Sequence, residues 1–165
     1  MATYLQYADE SKEITGEYPR GLDVGGRLHA VHGTFVQTAT TIAQTILECE
    51  LPRTLPGRII VHPELSWLRA DDADANADLH LGYRAYRDQS GATVVADDNF
   101  WLDNVDVGGG NIQGLVAGIT GVTTAGARPS MFDAQDGLRI VIMIDTAMPN
   151  ATDVIEAHIV YSHVQ

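Results

Sequence analysis

The sequence predicts an all-β protein: a jelly-roll-like β-sandwich with an extended N-terminal arm and at most one short helix. Three observations predict it. Apolar residues recur with a period of two in several separate runs, among them 27–37, 45–51, 78–88, 138–147 and 154–164. Turn-forming residues punctuate these runs at short intervals, with 16 Gly and 6 Pro in 165 residues, so few stretches are long enough for a regular helix. Lys12 is the only lysine, whereas long surface helices usually carry many Lys and Glu.

Taken in order, residues 1–26 follow neither a helical nor a strand period. Tyr4, Leu5, Tyr7, Ile14 and Tyr18 stand as apolar anchors among polar and turn-forming neighbours, which reads as an arm that packs on its own domain or on a neighbouring chain. Pro19 and Gly25-Gly26 close the arm, and residues 27–165 form the sandwich domain. In 27–37, Leu28 and Ala30 share one face and Val31 and Phe35 the other. After a Thr-rich turn, 45–51 puts Leu47, Cys49 and Leu51 on one face. The corner Leu51-Pro52 to Pro56-Gly57 excludes a continuing helix, and 58–62 is a short buried strand closed by Pro63. Residues 66–70 lead into an acidic loop, and 78–88 alternates until the turn signal Arg87-Asp88-Gln89-Ser90-Gly91.

Residues 94–105 are the best helix candidate, with Asp97 as cap and Phe100, Trp101 and Val105 on a shared side. Residues 112–122 read as an irregular strand or loop. Two terminal strands, 138–147 and 154–164, are expected to form a β-hairpin around Met148-Pro149-Asn150. The stretch Ile42–Asp88 holds three of the strands and both kinds of punctuation, and the remaining chain is organised around it.

Composition excludes several functions. The formal charge of −12 and pI near 4.6 repel phosphate backbones, and the arginines form no run, so no nucleic-acid binding is expected. No apolar run approaches the ~20 residues that span a bilayer, and no basic region followed by an apolar core marks a secretory signal. Cys49 is the only cysteine, which rules out an intrachain disulfide, and no activating base accompanies it in sequence.

The sharpest local motif is Asp72-x-Asp74-x-Asn76-x-Asp78, which places oxygen ligands at alternate positions as a calcium loop does. Such a loop needs a Gly after the third of these ligands and a bidentate Glu at its twelfth position, where this chain has Ala77 and Tyr83. The segment therefore reads first as a solvated acidic connector, with Asp72, Asp74, Asn76 and Asp78 only weak metal candidates.

His29 and His32 are three apart, so a regular strand sends them to opposite faces, and they do not form the His-x-His of a cupin. Gly108-Gly109-Gly110 lacks the Lys-Ser/Thr of a phosphate loop, and Ser130 lies in no nucleophile elbow. No catalytic residue and no cofactor is expected. Tyr83 and Tyr86, also three apart, are read as lying on opposite strand faces, one in the core and one facing a partner. The partner-facing residues expected are Tyr4, Tyr7, Ile14, Tyr18, Trp67 and Tyr86.

From Gly25 to Phe100 the chain resembles head decoration (cement) proteins and related small virion proteins of tailed bacteriophages. The resemblance is carried by GGRLHAVHGTF, by ILECELPRTLPGRIIVH and by LHLGYRAYRDQSGATVVADDNFW, together with the final Tyr-containing strand HIVYSHV. It implies a β-sandwich on the outer surface of the virion head. Such a protein is assembled in the host cytoplasm, bound to the major capsid protein lattice, often as a homotrimer, and stabilises the head. Two other readings stay open from the residues alone: a tail, neck or fibre module of the virion, and a cupin-like jelly roll that binds a metal or a sugar.

Overall fold

The structure, a computed structural model, describes residues 28–36, 44–51, 58–70, 78–106, 112–144 and 154–164. The arm 1–26, the Thr-rich turn, the Pro corner 52–57, the acidic loop 71–77 and Gly108–Gly110 lie outside the described residues. Among the described residues there are twelve strands: β1 (Leu28–Val36), β2 (Gln44–Leu51), β3 (Arg58–Val61), β4 (Trp67–Ala70), β5 (Asp78–Tyr83), β6 (Tyr86–Arg87), β7 (Thr93–Val94), β8 (Asp97–Asp106), β9 (Ile112–Leu115), β10 (Ser130–Phe132), β11 (Leu138–Ile144) and β12 (Val154–Val164). A single 3-10 turn, Val116–Gly118, is the only helical element among the described residues.

The chain folds as an all-β sandwich. One sheet has the order β2-β11-β5-β8, and the other has β10-β3-β12-β4-β9 with β1 on the opposite side of β12. In the second sheet β3 and β4 lie in line along one edge of β12, while β1 lines its other edge from Leu28↔Ser162 to Val36↔Val154. With β10 against β3 and β9 against β4, this sheet is also four strands wide. The break between β3 and β4 has a local cause. Ser66 is buried, donates its hydroxyl to the His62 carbonyl and accepts the Val160 N–H, so a side chain replaces the interrupted ladder while Pro63-Glu64-Leu65 loops out.

The period-two pattern explains the packing. Val31 and Phe35 face inward from β1, Leu47, Cys49 and Leu51 from β2, alternate residues from Leu138 to Ile144 from β11, and Ile155 to Tyr161 from β12. At one edge β1 meets β2: a Cβ on Gly33 would sit 3.0 Å from the Leu47 side chain and 3.1 Å from Cys49 Sγ. At the other edge Phe132 of β10 joins Tyr83, Phe100 and Trp101 in an edge-to-face cluster with ring centroids 5.1–6.1 Å apart.

Two expectations are corrected. Residues 94–105 form no helix: they hold the end of β7 and most of β8, an edge strand paired to β5 with two register shifts. Asn104 at φ 49° breaks the alternation, and the segment 121–126 covers the outer edge through Thr123 N–H to Trp101 O and Asp103 N–H to Gly121 O. Trp101 and Leu102 are therefore both buried although adjacent, which mimics a helical pattern. The terminal strands do not form a hairpin, because β11 belongs to one sheet and β12 to the other. The irregular segment 112–122 contributes β9 and the 3-10 turn.

Candidate functional site

The outward face of the six-stranded sheet is assembled from residues that alternate with the core. β1 supplies Leu28, Ala30, His32, Thr34 and Val36, and β12 supplies Val154, Glu156, His158, Val160 and Ser162, each paired across the ladder. β4 adds Trp67 and Arg69, directly opposite Leu115 and Gln113 of β9, while Ile60 of β3 lies opposite Met131 of β10. Leu28 (58%), Val36 (46%), Leu115 (50%) and Met131 (58%) are exposed here, four of the six large apolar side chains so exposed among the described residues. Together with the half-buried Ile60, Trp67 and Val160 they make this face rich in apolar side chains, interrupted by the polar row Thr34, Glu156, Arg69 and Gln113.

Charge on this face is sparse and internally balanced. Arg69 pairs with Glu156 at 3.4 Å, and the His32 and His158 rings lie 6.1 Å apart. His62 bridges Glu64 at 3.0 Å and the Ser162 hydroxyl at 2.9 Å, which ties the looped-out corner to β12. The outward side of the other sheet is polar instead, with Glu48, Glu50, Asp78, His80 and Arg139. There Glu48 is buried and held by Arg84 Nε at 2.8 Å. His80 reaches Asp103 at 3.3 Å and so anchors the irregular part of β8.

The second feature is a cavity of about 400 Å³ beyond the end of β5, lined by Glu50, Arg84, Tyr86, Arg87, Asp136 and Arg139 among others. Burial raises the Tyr86 phenol above its usual range, with smaller contributions from Tyr83, Asp133 and Asp88. The turn beside it, between β6 and β7, is held by Asp88, whose Oδ1 accepts from the Ser90 hydroxyl and from the Ser90 and Ala92 amides. These bonds hold the Asp88 carboxyl below its ordinary value, the Ser90 hydroxyl contributing most.

The residues singled out from the sequence are distributed as follows. Trp67 lies on the apolar sheet face. Tyr86 does not sit opposite Tyr83: β5 ends at Tyr83, the chain turns at Arg84-Ala85, and the two rings meet edge to face at 5.8 Å in the aromatic cluster. Trp67 and Tyr86 are thus on different surfaces. Tyr4, Tyr7, Ile14 and Tyr18 lie outside the described residues, as do Asp72, Asp74 and Asn76. Asp78 opens β5, opposite Asp106 of β8. Among the described residues no three His, Cys, Asp or Glu converge as a metal site. Cys49 is buried, and burial followed by the adjacent Glu48 pushes its thiol up to about 12, far from nucleophilic readiness at neutral pH.

The apolar face itself was missed from sequence. Its members come from six strands, and only the pairing shows that they share one surface. The signal available was the mixed character of the outward positions of 28–36 and 154–164, where Leu, Ala, Val and His replace the usual charged residues.

No family model matches the chain, and no curated protein matches it. Among solved structures the fold is similar to a chain of the cyanophage Pam1 capsid asymmetric unit, with a TM-score of 0.51 and 18% identity over 90% of this chain and 93% of that one. A second similar chain comes from the structure of infectious bursal disease virus Gx strain, with a TM-score of 0.41 and 9% identity over 85% of this chain but only 33% of that one. The likeness to the cyanophage chain runs nearly end to end in both molecules, and at this identity it is a likeness of fold.

Proposed function

We propose that this chain is a structural protein of a bacteriophage virion: a capsid decoration protein that docks on the outer surface of the major capsid protein lattice and stabilises the head. The observation that carries the reading is the nearly end-to-end match of fold with a similarly sized chain of a capsid asymmetric unit. The strand order supports the same reading. Chain connections pass from β1 to β2, β2 to β3, β4 to β5, β8 to β9 and β10 through β11 to β12, switching sheets each time, which supports reading the sandwich as a jelly roll.

The apolar face of the six-stranded sheet is the docking surface in this proposal. Four strands at about 4.8 Å spacing and about nine residues at 3.3 Å give a footprint of roughly 600 Å². A standard interface buries about 800 Å² per partner, so one face makes a modest contact that becomes firm when repeated over a shell. Its near neutrality matters, because a chain of charge −12 meets a partner with least repulsion where its own charges are few and paired.

The test is attachment of the labelled chain to phage heads lacking it, followed by electron microscopy, beside a Trp67→Asp/Met131→Asp variant. Both positions face outward, so the variant is expected to fold and to lose at least tenfold in occupancy. Equal occupancy by the variant would remove the face from the proposal, and label on the tail, or on no particle, would overturn the head assignment.

A further inference from the structure

We infer that two copies of this chain pair edge to edge through β1, antiparallel about a two-fold axis at His32, and so join their six-stranded sheets into one. The sheet edges are not alike. β8 is covered along its outer edge by the segment 121–126, and β9 and β10 are only four and three residues long. β2 carries Glu48 and Glu50, and its ladder with β11 shifts register at Ile142/Met143. Cover, shortness, charge and bulges are the devices that keep sheet edges from pairing. β1 has none of them. Its nine residues include no Asp, Glu, Lys, Arg or Pro, and they pair with β12 in one unbroken register. Among the described residues no strand lies beyond its other edge.

The direction of the free backbone groups follows from β12. In an antiparallel strand the N–H and C=O of one residue point to the same side, and successive residues alternate. Val160 accepts from the His62 N–H at 2.9 Å and donates to Ser66 Oγ at 2.9 Å, both on the side of β3 and β4. Ile159 and its alternates therefore bond β1, through His29, Val31, Gly33 and Phe35. Leu28, Ala30, His32, Thr34 and Val36 are left with their N–H and C=O groups directed at the open edge.

A second β1 matches this row. Antiparallel pairing about His32 sets His32 against His32, Ala30 against Thr34 and Leu28 against Val36. Every open residue then meets an open residue, with about ten N–H···O bonds in all, and a shift by two residues drops the count to about eight. The same register removes exposed apolar surface, because Leu28 (58%) of each copy lies beside Val36 (46%) of the other. On the inward side Val31 falls against Gly33, so bulk meets a vacancy where the two cores approach.

Charge favours the same approach. Copies of net charge −12 repel, and an uncharged edge is where they meet at least cost. Glu156, opposite Thr34, is already paired with Arg69 at 3.4 Å. The contact is isologous and closes at two copies. The pairing does not depend on docking, but it would set two outward faces side by side, with a joint footprint of about 1,200 Å².

The experiment is sedimentation velocity of the full chain without particles, at 0.15 M salt, where the screening length is about 8 Å. The wild type is expected to be a dimer. His32 faces itself across the axis, so His32→Lys and His32→Glu should each lose at least tenfold in association constant and regain it when mixed. Position 32 projects outward from β1, and thermal unfolding checks that each variant is folded. Oxidation reads the register: His32→Cys should crosslink to itself, and Ala30→Cys only when mixed with Thr34→Cys, while the native Cys49 is buried. The Trp67→Asp/Met131→Asp variant changes no β1 residue and should still dimerise. A monomeric or trimeric wild type, unchanged association of either charged variant, or a mixture that stays dissociated would each overturn the inference. So would crosslinking of Ala30→Cys alone, or loss of the dimer in Trp67→Asp/Met131→Asp. No head is present in these measurements, so their failure leaves docking untouched, and failure to dock leaves the pairing untouched.

Discussion

Replacing Gly82 by Ala should displace β8 from β5 and loosen the aromatic end of the sandwich. A Cβ at this position would lie 2.0 Å from Asp97 O, 2.3 Å from Asp98 C and 2.6 Å from Asp98 Cα, whereas ordinary contacts begin at 3.4 Å. All three atoms are backbone, so no side-chain rotation relieves the clash. β8 has to retreat by more than about 1 Å, which opens the register at Tyr83↔Asp97 and the packing of Phe100 and Trp101. We expect a loss of about 3 kcal/mol, and at about 2–4 °C per kcal/mol for a chain of this size the melting temperature falls by about 6–12 °C. Gly114→Ala on β9 is the control, since its Cβ would meet nothing within 4 Å, and its effect should stay within about 1 kcal/mol. Thermal and urea unfolding of both variants decide the matter. If Gly82→Ala melted within about 2 °C of the wild type, the argument that glycine here admits a crossing backbone would fail.

Two further predictions concern buried groups. Arg84→Met leaves the buried Glu48 without its close cation and should cost about 2–3 kcal/mol, below the range for a fully buried pair because the Arg84 side chain is 34% exposed. Adding Glu48→Gln should recover more than half of that loss in a double-mutant cycle, and strict additivity would refute the coupling. Cys49 should resist alkylation at pH 8 in the folded protein and react once urea unfolds it. Its thiol is raised from an ordinary 9.0 to about 12, so its contribution to stability is complete below about pH 9 and is lost progressively as pH rises through about 12. Relative to Cys49→Ala, stability should fall by up to about 1.4 kcal/mol per pH unit in that window, and parallel pH curves would contradict it.

How much of the fold could be read from sequence depended on whether a strand obeyed the simple period. The inward faces of β1, β2, β11 and β12 are those the pattern implied, although Glu48 and Val141 are buried on the outward side as well. Cys49 falls with Leu47 and Leu51 in the core for the same reason. β8 misled because bulges, a left-handed Asn104 and a covering segment bury neighbouring residues on both sides of an edge strand. Tyr86 misled because a two-residue break after Tyr83 ended one strand and began another, so spacing no longer measured the face. Of the expected contact residues, Trp67 is on the proposed surface, and Tyr86 lines the cavity beyond the end of β5.

By itself the sequence determined that this is an all-β chain, acidic, with a core built from alternating apolar positions. These properties follow from local periodicity and composition, which need no partner strand to be legible. Tertiary structure decided the rest. It sent β11 and β12 to different sheets, because a sandwich buries both inward faces only if the chain switches layers. It gathered Leu28, Val36, Trp67, Leu115 and Met131, distant in sequence, onto one face through cross-strand pairing. It also set Arg87 and Arg139 at one end of the strands and Asp78 and Asp106 at the other, a separation fixed by strand direction and register, which no linear pattern records.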